Sequence, residues 1–107
     1  MANSNYCVTF RIADKTVGGR SYAERYKALI DAMRAEGMGY WEETTSFFMV
    51  ESPHNTTAIT THGAKSLSAA DDLLVVFDPT DMSASYFGAL KHVEVLRSFF
   101  PKLKKVG

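Results

Sequence analysis

Tyr6-Cys7-Val8-Thr9-Phe10-Arg11-Ile12 is the stretch from which the fold can be read. Tyr6, Val8, Phe10 and Ile12 fall on one side of an extended chain and Cys7, Thr9 and Arg11 on the other, the two-residue period of a half-buried β-strand. Downstream, Ser21 stands three residues before Glu24, the spacing of a capping box, and Tyr22, Tyr26, Leu29, Ile30 and Met33 follow at helical spacing. A first helix is expected from about Tyr22 to Glu36, stopped by Gly37. Tyr40-Trp41-Glu42-Glu43 and Ser46-Phe47-Phe48-Met49-Val50 are rich in strand-forming residues, and only Thr44 and Thr45 separate them, so they read as a hairpin. Pro53 ends that run, and Asn55 is placed to cap a second helix over Thr56 to Leu67, with Ile59, Gly63 and Leu67 turned inward.

Leu73 to Phe77 is a continuous apolar run bounded by Asp71-Asp72 and Asp78-Pro79, short enough to be a buried strand. It closes a βαββαβ order by about residue 78. That order predicts an α+β, ferredoxin-like fold: an antiparallel four-stranded sheet with two helices on one face. Thr80 to Gly88 reads as loop or a further strand. Leu90, Val93, Leu96 and Phe100 form a helical stripe before Pro101, so a C-terminal helix is expected, its dipole complemented by the lysine-rich end. Phe47 and Met49 lie opposite Phe48 and Val50, and Leu73, Val75 and Phe77 opposite Leu74 and Val76. Two strands are therefore apolar on both sides, and something must cover the second face: the C-terminal helix, a ligand or, as the favoured reading, a second copy of the chain.

With 107 residues and 46% hydrophobic content, the chain is expected to be one domain, a core over about 5–88 with a C-terminal helical extension over about 89–107. Its apolar runs are far shorter than a membrane span and the Met-Ala-Asn-Ser start lacks a basic region before an apolar one, so a soluble, cytoplasmic protein is expected. Cys7 is the sole cysteine and reads as a small strand residue rather than a reactive thiol. The net charge of zero conceals a segregation: residues 1–34 carry +3, residues 35–90 carry −7 and residues 91–107 carry +4. Neutrality argues against a dedicated nucleic-acid-binding domain, although Lys102, Lys104 and Lys105 would permit local phosphate contact.

No P-loop, paired-cysteine metal site, nucleophile elbow or HExxH helix is present. His54, His62 and His92 lack ligand spacing, and no metal site is expected. Asp71-Asp72 and Asp78 with Asp81 flank a strand where carboxylates can collect a cation, yet they are also ordinary strand-ending residues. Tyr40, Trp41, Phe47 and Phe48 could stack bases, but packing is the better reading because no basic-aromatic motif accompanies them.

Tyr6-Cys7-Val8-Thr9-Phe10, Tyr26 to Met33, Tyr40-Trp41, Ser46 to Val50, Asp71 to Val76 and Ser85-Tyr86-Phe87-Gly88 together resemble a family of small bacterial proteins related to the CRISPR-associated adaptation nucleases and the virulence-associated protein D toxins, including the SinR-like group. The resemblance implies a ferredoxin-like fold and a symmetric dimer, with nuclease activity or nucleic-acid binding in some relatives. It also implies an acidic metal ligand near the end of the first strand. The matching position here is Arg11, which cannot ligate a cation, and Asp14 is the nearest substitute. The expected function is therefore a non-enzymatic homodimer, without cofactor, binding nucleic acid or a protein in a mobile-element or toxin-antitoxin setting through Arg11, Arg20 and Arg25. The alternatives are a divergent nuclease using Asp14 with magnesium or manganese, and a regulatory domain holding a small ligand on the open sheet face, at Phe48, Val50 and Leu74 or at their alternates on the other side of the strands.

Overall fold

The structure is a computed structural model that describes residues 3–35 and 39–107. Strand β1 (Ser4–Arg11) leads into helix α1 (Tyr22–Arg34), followed by the strands β2 (Tyr40–Trp41) and β3 (Phe47–Ser52). Helix α2 (Thr56–Gly63) continues into a 3-10 turn at Ala64–Ser66, and the chain then forms β4 (Leu73–Phe77), β5 (Ala84–Gly88), a short helix α3 (Val93–Phe99) and β6 (Lys104–Lys105). The expected capping box is present in full: Ser21 Oγ accepts from Glu24 N–H at 3.1 Å, and Glu24 Oε1 accepts from Ser21 N–H at 2.8 Å. Asn55 caps α2 through Ala58 N–H at 2.8 Å. The helix stop expected at Gly37 lies outside the described residues.

The sheet is α+β in company but wider than the four antiparallel strands expected. Its order is β2-β3-β1-β4-β5-β6, six strands in all, with every pair antiparallel except β5 and β6. The fifth strand is the segment whose sequence also permitted a loop. The expected C-terminal helix is present as the short α3, and the sixth strand follows it: Lys104 and Lys105 run parallel to Ser85 and Tyr86 instead of ending that helix.

One face of the sheet carries α1 and α2. Tyr6, Val8, Phe10 and Ile12 all enter that core, with Phe48, Val50, Leu74 and Val76 from the neighbouring strands and Leu29, Ile30, Met33 and Ile59 from the helices. Each aliphatic side chain so buried contributes about 1.5–3 kcal/mol relative to remaining in water. Phe48 and Leu74 are completely buried there, so on this face they are core residues rather than the lining of a pocket. The second face is only partly covered. Val75, Ala84, Tyr86 and Leu103 form a smaller cluster under Leu90, Val93, Leu96 and Phe100, with Phe77 and Phe100 ring centroids 5.0 Å apart. The cross-strand row Trp41, Met49, Cys7, Phe77 shows the gradient: Trp41 is 41% and Met49 38% exposed, whereas Cys7 is 7% exposed. The C-terminal segment thus roofs β4 and β5 and leaves β2 and β3 bare on that side. No described helix is long and apolar enough to cross a membrane.

Candidate functional site

β1 ends at Arg11, and the ten residues before α1 form a loop whose shape is set by a single buried side chain. Arg25, on the inward side of α1, is 1% exposed, and all five of its guanidinium N–H donors are used. Nε donates to Asp72 Oδ2 at 3.0 Å and Nη2 to Asp72 Oδ1 at 3.2 Å. The remaining three go to loop carbonyls: Nη2 to Ala13 at 2.8 Å, and Nη1 to Lys15 at 2.8 Å and Arg20 at 2.9 Å. Asp72, itself 0% exposed, fills its other acceptor positions with the N–H groups of Ala13 at 2.9 Å and Ser68 at 2.8 Å. Burial pushes the Asp72 carboxyl up, but the guanidinium and these two N–H groups outweigh it and hold the pKa below the ordinary carboxylate value. The expected partner-binding role of Arg25 is corrected by this burial: it stands in the wall of the cavity described next, but with no donor left to offer a partner.

With its carbonyls drawn inward, the loop turns its side chains out. Val17 and Arg20 exchange backbone hydrogen bonds of 2.9 and 3.0 Å around Gly18 and Gly19. The φ angles of 57° and 79° at those glycines make a type I′ turn, a conformation that side chains with a Cβ resist at both positions. Arg20 leaves this turn exposed and lines a cavity of about 300 Å³ together with Lys65, Ser66 and Ser68 beyond the end of α2. Lys65 was not singled out by the sequence, where it is the only lysine or arginine in the acidic stretch 35–90. Lys15 is less available, because it pairs with Asp71 at 2.8 Å, and this bond with that from Ser68 keeps the Asp71 pKa low.

Of the three arginines, Arg20 and Arg25 therefore border the same cavity and Arg11 stands apart. Arg11 points to the opposite side of the sheet from Phe10, where its Nη2 lies 3.4 Å from the Ala89 carbonyl. Asp14 is exposed in the loop, and among the described residues no three histidine, cysteine or acidic side chains gather in a way that would hold a metal ion. The strand-flanking aspartates have local tasks: beyond the two already described, Asp78 accepts from Thr80 N–H and Asp81 from Ser83 N–H. His54 uses its backbone carbonyl to accept the Tyr6 hydroxyl at 2.6 Å, and burial raises the pKa of that phenol.

Comparison with protein-family models, with curated proteins and with solved structures finds no match. The functional reading consequently rests on the geometry of this chain.

Proposed function

We propose that the protein is a non-enzymatic, ferredoxin-like binding module that holds nucleic acid by its phosphate backbone, with Arg20 and Lys65 as the contacting cations. The supporting observation is the cavity between the clamped loop and the end of α2, where these two exposed bases stand beside the hydroxyls of Ser66 and Ser68. Because three hydrogen bonds from Arg25 to the carbonyls of Ala13, Lys15 and Arg20 fix the loop before any partner arrives, little ordering entropy remains to oppose binding at Arg20. The antiparallel order β2-β3-β1-β4 within the wider sheet supports the ferredoxin-like kinship. The bare apolar strip of Trp41, Met49 and Phe47 supports a homodimer that covers it with a second copy, which the solution mass by light scattering tests.

The test of the binding reading is fluorescence anisotropy with labelled single- and double-stranded oligonucleotides across a salt series. Arg20→Ala with Lys65→Ala lowers the slope of log affinity against log salt by about 1.4–1.8, corresponding to two lost phosphate contacts. Arg11→Ala, on the other face, leaves the slope unchanged. Equal affinity and slope for the double variant and the parent refute this surface, and absence of oligonucleotide binding by the parent points instead to a protein partner.

A further inference from the structure

At the other end of α2 the helix face of the sheet changes character. The cross-strand row Phe48, Val8, Val76, Ser85, Lys104 runs from apolar to polar. Thr57 of α2 meets Ser85 at an Oγ–Oγ distance of 3.2 Å, and between them and Lys104 opens a cavity of about 270 Å³. Two lysines, Lys102 and Lys104, and two aspartates, Asp78 and Asp81, line it. Asp78 is 4% exposed, and its Oδ1 accepts from Thr80 N–H at 2.8 Å. Among the described residues its second oxygen has no hydrogen-bond donor and no cation within ion-pair distance. Yet no sealed polar side-chain atom there lacks a partner, so this oxygen must keep an opening, and the cavity is what Asp78 lines.

The opposite pole is positive. Thr56 and Thr57 are the first two residues of α2, and their N–H groups precede the first intrahelical acceptor. Lys104 adds a full charge from the strand. A purely anionic ligand would meet the carboxylate of Asp78, and a purely cationic one would meet both lysines and the helix end. The balanced lining selects a dipolar molecule, and a volume below the roughly 300–1,000 Å³ of drug-sized ligand sites selects a small one. We propose that this cavity binds a free α-amino acid, its ammonium group on Asp78 and its carboxylate between the first turn of α2 and Lys104.

The experiment is a backbone-amide NMR titration of the full chain with glycine and with L-serine, beside N-acetyl-L-serine, L-serinamide and inorganic phosphate. The two amino acids are expected to shift the amides of Thr57, Ser85 and Lys104 with a Kd of about 1 mM or tighter. The acetylated and amidated compounds, each lacking one charge, leave them in place. Asp78→Asn keeps the acceptor for Thr80 and so the turn, but weakens L-serine binding about tenfold or more, as loss of a charged hydrogen bond requires. Lys104→Met is a second variant, away from the turn, and lowers affinity in the same assay. The proposal is overturned by the absence of shifts with both amino acids at about tenfold that concentration. It is equally overturned by the same shift map with N-acetyl-L-serine or phosphate, or by unchanged affinity in Asp78→Asn.

Discussion

Replacing Arg25 with methionine removes one charge and five hydrogen bonds while keeping most of the buried bulk. Asp72 would remain at 0% exposure with only the Ala13 and Ser68 N–H groups for company. Removing one partner of a buried ion pair costs about 3–5 kcal/mol, because the surviving charge is left uncompensated. A domain of this size has about 5–15 kcal/mol in total, so Arg25→Met loses a large part of its stability. At about 4–8 °C per kcal/mol, Tm falls by at least about 12 °C, as followed by circular dichroism. Arg25→Met combined with Asp72→Leu recovers much of that loss, since an apolar pair tolerates burial. The loop does not recover with it: in both variants the carbonyls of Ala13, Lys15 and Arg20 lack their donor, and the amides of Val17 and Arg20 exchange with deuterium faster than in the parent. A single variant within about 1 kcal/mol of the parent, or a double variant no more stable than the single, refutes the reasoning.

The remaining predictions concern protonation and backbone fit. Asp72 has a folded pKa below its unfolded value of about 3.9, so its contribution is complete above that pH and is lost as pH falls through the lower folded value; acid titration of Asp72→Asn shows less of this loss than the parent. A Cβ at Gly88, where φ is 103°, would stand 1.9 Å from the Asp72 carbonyl oxygen, so Gly88→Ala costs at least about 2 kcal/mol in urea unfolding, and an unchanged midpoint contradicts the register of β4 and β5. Deleting residues 89–107 uncovers Val75, Ala84 and Tyr86, and light scattering should then show larger assemblies than the full chain forms; an unchanged mass would mean that the roof is dispensable.

The parts of this fold that were legible in the sequence are those with a strong local signal. The alternation of Tyr6 to Ile12 becomes the inward face of β1, and the Ser21-Glu24 pair and Asn55 cap the helices they were expected to cap. The illegible parts depend on contacts distant in the chain. Gly63 counts against a helix by propensity, yet a Cβ there would sit 2.9 Å from Met33 Cε, so the small residue is what lets α2 lie close to α1. Ala84 to Gly88 has too few strand formers to announce itself and is a strand because Leu73 to Phe77 offers it an edge. Arg25 reads as surface because arginines are mostly exposed, and only an aspartate 47 residues later makes its burial affordable. The same gap hid Lys65, whose relation to Arg20 exists only once α2 has packed.

The position of β1 also sets a timetable for biosynthesis. The strand is made before both of its neighbours, and its hydrogen-bonding edges belong to residues 47–52 on one side and 73–77 on the other. At ribosomal rates of about 5–20 residues per second, roughly 3–13 s separate completion of Arg11 from completion of Phe77. During that interval a segment fit to be the centre of a sheet has no native edge partner on the β4 side. Newly made chain is thus exposed to off-pathway pairing for seconds, and conditions that slow translation after residue 52 lengthen the exposure without altering the finished fold.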